Sequence, residues 1–283
     1  MGRYGFTLVE ALVSLTLSTL LVALVTSVFV AQSDFYDDIL RRSQVHADAR
    51  SVVDVVTGDV RAVTEGTAAE PTFLVANSTR MVIYQPLTVG FICDIQGSRV
   101  STYLPRSRAG LDTLSVTGYA LQDGDGSWNW SSDDWSGLYD SQGTTIKDDC
   151  GTIGMDTTGI PAAHFVSLDG PGSSATVGEP LMLHRTLDLR LATSGLDPSQ
   201  IGLYRGTVFS SLVEVASGLG SNAGFSYRLE GQSSYSNTIA SGDRDDINAV
   251  RVTAHAADAG GGGLDPYEYT LVRDVPIKNE RWP

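Results

Sequence analysis

"GFTLVEALVSL", residues 5–15, sets a single glutamate, Glu10, inside an apolar run at the head of the chain. From Ala11 to Ser33 there is no charged residue, and from Phe6 to Thr57 there is neither glycine nor proline. About 20 apolar residues are enough to cross a bilayer as a helix. The polar members Ser14, Thr16, Ser18, Thr19, Thr26 and Ser27 can bond to the helix's own carbonyls and so do not oppose insertion. A secretory signal has an apolar core of about 7 to 15 residues and a small-residue cleavage site after it. This core is longer, lacks such a site, and carries a carboxylate near its start. An ionised side chain at that depth costs roughly 2.5 to 3.5 kcal/mol on insertion scales, so Glu10 calls for a function and a partner.

Outside this segment the composition narrows the choices. The chain has 283 residues, a net charge of -14 and a pI near 4.5. Neither a phosphate backbone nor an anionic lipid surface suits the bulk of such a chain, and no nucleic-acid binding by the body is expected. Thirty glycines, with serine and threonine throughout, suit a strand-rich body with many turns.

Gly5, Phe6, Thr7, Leu8, Val9 and Glu10 follow a short leader with one arginine and precede an unbroken apolar helix. This arrangement resembles the class III signal of type IV pilins and type II secretion pseudopilins. The resemblance implies cleavage between Gly5 and Phe6 by a prepilin peptidase, N-methylation of Phe6, and a registering role for Glu10 in the filament. Elementary electrostatics agrees with that role. Cleavage creates an α-amino group with an unperturbed pKa near 8, a cation at the head of the helix. A neighbouring subunit's Glu10 would neutralise it in an apolar core where either charge alone is costly.

Beyond the apolar segment Ala49, Val52, Val53, Val56, Val60 and Val63 recur at spacings of three and four, a stripe suited to packing on a sheet. Arg50 and Asp54 stand at i, i+4 as a pair on the polar side. Pro71 is the first proline and a stop, so the helix is expected from Phe6 to about Val63. The remainder reads as strands: "TFLVA", "RMVIYQ", "VSTYL" and "DTLSVTGYAL", then "HFVSL", "PLMLHRTLDLRLA", "IGLYRG", "FSYRLEG", "NAVRVTAHA" and "YEYTLVRDV". Leu187, Leu189 and Leu191 alternate with Asp188 and Arg190, and Val250, Val252, Ala254 and Ala256 with Arg251, Thr253 and His255, as half-buried strands do. "AGGGGLDP", Ala259 to Pro266, reads as the turn between the last two strands.

The fold class is therefore α+β and pilin-like: a long N-terminal α-helix, half transmembrane and half amphipathic, packed on an antiparallel β-sheet body. The divisions are a leader over 1–5, a transmembrane and filament-core helix over 6–33, its amphipathic continuation over 34–64, and a β-rich periplasmic domain over 65–283 with a loop at 122–150. This layout is similar to that of the larger minor pilins of the W type and the minor pseudopilins of the J type. Ile277, Lys278 and Asn279 approximate the C-terminal tripeptide of that group, and the lack of a proline in the apolar half suits a minor subunit. The resemblance implies a single-pass inner-membrane protein that joins a pilus or pseudopilus, with major and minor pilins or pseudopilins, prepilin peptidase and the inner-membrane assembly platform as partners.

Cys93 and Cys150 fall in the part that would lie outside the inner membrane, where an oxidising compartment favours a disulfide; the alternative is two buried free thiols. Between them lies "QDGDGSWNWSSDDWSGLYDSQG", residues 122–143. Asp123, Asp125, Asp133 and Asp134 offer oxygens to Ca²⁺, yet the EF-hand spacing fails, since Asp125 is followed by Gly-Ser-Trp and no closing Glu stands in place. No cofactor is expected, with Ca²⁺ the one to consider. Trp128, Trp130 and Trp135 either tuck this segment against the body or anchor a partner or sugar, as an adhesin would.

No catalytic motif stands out: there is no G-x-S-x-G, H-E-x-x-H, P-loop or C-x-x-C. "GLGSNAG", Gly218 to Gly224, lacks the βαβ context of a dinucleotide site and reads as a turn, and His46, His164, His184 and His255 read as packing or surface residues. The expectation is a non-enzymatic filament subunit, with an anchored adhesin, carbohydrate-binding protein or hydrolase as the competing readings.

Overall fold

The fold was read from a computed structural model, which describes residues 7–63, 72–105, 116–122, 128–131, 138–139, 143–169, 175–208, 210–258 and 266–277. Helix α1 spans Leu8–Arg61, 54 residues and about 81 Å at 1.5 Å per residue. No glycine interrupts it before Gly58 and no proline at all, so nothing breaks its ladder. The hydroxyls of Thr16, Thr19, Thr26 and Ser27 donate to helix carbonyls three or four residues back at 2.8–2.9 Å, as expected of polar residues in an apolar span. The helix is long and apolar enough to cross a membrane.

The two parts of α1 differ in what surrounds them. The apolar side chains from Leu8 through Leu40, including Phe35, Tyr36 and Ile39, are exposed. Burial begins at Val45 and continues through Ala49, Val52, Val53, Val56 and Val60, the stripe that the spacing predicted. Polar contact with the body starts at Arg41, 3.6 Å from Asp258, and apolar burial at Val45, both later than the change in composition at Asp34. Arg50 and Asp54 form no ion pair with each other, because both are exposed and holding two long side chains together gains little in water. Asp38 instead accepts from Arg41 at 3.1 Å and Arg42 at 2.8 Å.

Thirteen strands are present among the described residues, and every pairing between them is antiparallel. They are β1 (Phe73–Ala76), β2 (Arg80–Gln96), β3 (Arg99–Tyr103), β4 (Gly118–Gln122), β5 (Trp128–Ser131), β6 (Leu138–Tyr139), β7 (Phe165–Asp169), β8 (Pro180–Thr193), β9 (Ile201–Thr207), β10 (Val213–Leu219), β11 (Gly224–Leu229), β12 (Ile247–Asp258) and β13 (Tyr267–Pro276). The long strands β2 and β8 pair from Arg80↔Arg190 to Phe91↔Pro180 and form the spine. Their register shifts between Pro86 and Thr88, as expected where a proline can give no N–H to the ladder. At one end of the spine β1 flanks β2 and β9 flanks β8; at the other, β3 flanks β2 and β4 flanks β8.

The two larger of four apolar centres among the described residues lie at the two ends of this divided spine. The first gathers the α1 stripe with Leu187, Leu189, Leu191, Phe225, Tyr227, Val250 and Val252, where α1 lies over β10, β12 and β13. The second joins Ile92, Val100, Val166, Leu168, Leu181 and Leu183. Strand β12 alternates from Val250 to Ala254, but His255, read on its polar side, is buried, and β8 is not half-solvated: Asp188 is buried, held by Arg80 at 2.8 Å and Arg190 at 3.2 Å.

The segment read as a loop over 122–150 carries three further elements, one of them the two-residue β6, which pairs with β7. Trp128–Ser131 adds β5 to β4, and a second helix, α2, runs over Gly143–Thr152. Its only strong apolar signal is Ile146 with Cys150 at i+4, too few residues for a periodic reading, and it is tertiary burial against β2, β3 and β7 that holds it. The glycine-rich turn Ala259–Asp265 lies outside the described residues, while β12 and β13 on either side pair as a hairpin.

Candidate functional site

Thr7 caps α1 with extended backbone, and its side chain accepts from the Glu10 N–H at 3.3 Å. Glu10 answers by accepting from the Thr7 N–H and hydroxyl, each at 3.2 Å, which completes a capping box. The carboxylate therefore stands at the positive end of the helix dipole and faces the start of the chain. Gly5 and Phe6, the residues of the expected cut and methylation, lie outside the described residues. Around Glu10 the helix is exposed on all sides, with Leu8, Val9, Leu12 and Val13 each more than half accessible. An isolated soluble body has no use for such a surface; a bilayer or a bundle of like helices covers it.

The other end of α1 is fastened by a polar lock that inspection of the sequence missed. Asp59, buried within the last turn, accepts from Arg205 Nε and Nη2 at 2.8 Å each. Gln85 reaches the same carboxylate at 3.5 Å and accepts from Arg185 Nε at 2.6 Å. The bonded carboxylate raises the Arg205 pKa, whereas burial, and then the nearby Arg205 charge, lowers that of Arg185. Asp59 follows directly before Val60 of the buried stripe, and that adjacency was the available signal. Midway along the packed part, Asp48 lies against Gly218, which has φ +81°; a Cβ there would collide with the carboxylate. Burial pushes the Asp48 pKa up, partly opposed by its bond from Gln44 at 2.8 Å.

Cys93 and Cys150 are joined by a disulfide, with Cα atoms 4.6 Å apart, that ties α2 to β2 among Ile146 and Phe165. Trp130 is buried and stacks on Tyr84 at 5.1 Å, and Trp128 packs beside it, so these two serve the body rather than a docking surface. Trp135 and the calcium candidates Asp123, Asp125, Asp133 and Asp134 lie outside the described residues. Among the described residues no three His, Cys, Asp or Glu side chains converge as a metal site.

The four histidines are dispersed, each in a separate hydrogen bond. His46 meets the Tyr267 hydroxyl, His164 the Leu104 carbonyl, His184 the Tyr119 carbonyl and His255 the Thr270 hydroxyl. "GLGSNAG" closes the connection from β10 to β11, with the Ala223 N–H donating to Gly220, as a turn.

Compared with known families, residues 1–26 match the prokaryotic N-terminal methylation motif. Neither a curated protein nor a solved structure matches the chain. That motif implies processing by a prepilin peptidase and assembly with other pilins, and the apolar helix behind it provides the means of membrane anchoring. With the motif at its head, α1 behind it and a large antiparallel sheet as its body, this chain has the layout of a pilin-like protein of the class III signal type.

Proposed function

We propose that the chain is a minor subunit of a type IV pilus or type II secretion pseudopilus, cut between Gly5 and Phe6, methylated at Phe6, and placed at or near the filament tip. The observation that carries this reading is the methylation motif at the head of a helix whose apolar side chains from Leu8 through Leu40 all stay exposed. Such a helix needs neighbours. Once Phe6 is the first residue, its amine is a cation one turn from Glu10, and the charge of each is best matched by the next subunit. The large sheet body, wider than helix packing alone requires, favours a terminal position with room around it. The role is structural, with no catalytic step assigned to any side chain.

The test is intact mass and N-terminal sequencing of the chain produced together with its own prepilin peptidase. A product beginning at N-methylated Phe6 is expected; one that keeps Met1, or is cut beyond residue 30, overturns the reading. Glu10→Ala is expected to leave cleavage intact and reduce recovery in sheared filaments by about tenfold, the loss of one ion pair in an apolar core. Unchanged recovery would remove the pairing argument.

A further inference from the structure

Among the described residues, strand β13 is an outermost strand of the sheet and pairs with β12 alone. The pairing runs from Ala249↔Pro276 to Asp258↔Tyr267 without a register shift. Just beyond it the Ile277 N–H donates to the Asn248 carbonyl at 2.9 Å. Bonded and non-bonded pairs alternate along an antiparallel ladder, so the N–H and C=O groups of Glu268, Thr270, Val272 and Asp274 point away from β12. Among the described residues no backbone hydrogen bond takes them up.

Sheets usually blunt an edge of this length with a bulge, a lysine or a mid-strand proline. β13 has no bulge, no lysine and no proline before its last residue, Pro276; its charged side chains are Glu268, Arg273 and Asp274, and its outward N–H groups stay free to pair. Its inner face is covered by α1, yet Val272 is 50% exposed on the outer face. Asp274 is already neutralised by Arg251 at 2.7 and 3.0 Å, whereas Glu268 is 68% exposed and, among the described residues, approaches only His255, at 4.0 Å.

We propose that the β13 edge accepts an extended segment of a different filament subunit, which adds a strand beside Thr270 and Val272 and sets a basic side chain against Glu268. The inference rests on the filament-subunit reading. Outward N–H and C=O groups repeating every second residue are matched by another extended backbone. A second copy of this chain is disfavoured by charge, since each copy carries a net charge of -14 and Glu268 would meet no basic partner on a matching edge.

The test uses the full chain in cells that assemble the complete filament. With Val272 replaced by photoreactive benzoylphenylalanine, irradiation is expected to yield an adduct heavier than the 30.1 kDa chain by the mass of another subunit. Val272→Pro removes an outward N–H and no bond to β12, and should lower recovery in filaments by about fivefold, the effect of one ladder hydrogen bond. Glu268→Lys should lower it similarly while leaving the backbone untouched, so it decides the matter if Val272→Pro fails to fold. Normal recovery of Glu268→Lys, or an adduct of twice the chain's own mass, overturns the proposal. In all variants N-terminal processing and membrane insertion should match the wild type; their failure in the wild type would instead overturn the filament reading itself.

Discussion

Asp59 shows how one residue fixes the orientation of a helix. Apolar stripes slide and rotate on a sheet at modest cost, whereas two parallel hydrogen bonds from Arg205 at 2.8 Å allow a single placement. Asp59→Ala leaves the Arg205 guanidinium in a partly buried site without its acid, and Gln85 without an acceptor. The expected loss is about 3 kcal/mol, toward the low end for a broken buried pair because Arg205 keeps contact with water. Urea unfolding of the detergent-solubilised chain measures it. A change below about 0.5 kcal/mol, the range of an ordinary surface substitution, would mean that the apolar stripe alone holds the helix. Glu10 is the counterpart at the opposite end: it is bonded to Thr7 within its own chain yet stands on a surface that only other molecules can cover.

At the scale of elements, α1 and α2 form for different reasons. α1 has the length, the cap and the uninterrupted sequence to be helical on its own account. α2 has ten residues and little intrinsic drive, and is held by Ile146, Phe165 and the bond from Cys150 to Cys93. Removing that bond in Cys93→Ser/Cys150→Ser frees a loop of sequence separation 57 in the unfolded chain, with an expected loss of about 4 kcal/mol on the chain-entropy model. Hydrogen exchange should show faster amide exchange in α2 and in β3 and β7 beside it, with α1 little changed. Uniform acceleration through α1 would mean that the two apolar centres unfold as one.

For the whole molecule, the decisive feature is that the exposed first part of α1 and the folded body share no packing. The described core begins at Val45, and no apolar side chain from Leu8 to Leu40 belongs to it. A fragment over residues 34–283 is therefore expected to be water-soluble and to melt within about 3 °C of the full chain in detergent, since it keeps every buried contact. A molten or aggregating fragment would show that the apolar part of α1 contributes to the fold of the body.

Local chemistry explains what the sequence by itself determined. Glu10 in its apolar setting, the stripe from Ala49 to Val63 and the alternation in β12 each follow from the 3.6- or 2-residue period of a single element, and they defined the anchor, the packed helix and the sheet class. What the tertiary structure decided involves partners distant in the chain. Asp59 meets Arg205 across 146 positions, Arg80 meets Asp188 across 108, and α2 is helical because of a surface assembled from β2, β3 and β7. The burial of Asp188, the packing of Trp130 on Tyr84 and the open edge of β13 likewise arise only when strands are placed side by side, since sequence periodicity records which face a residue takes and not which strand lies next to it.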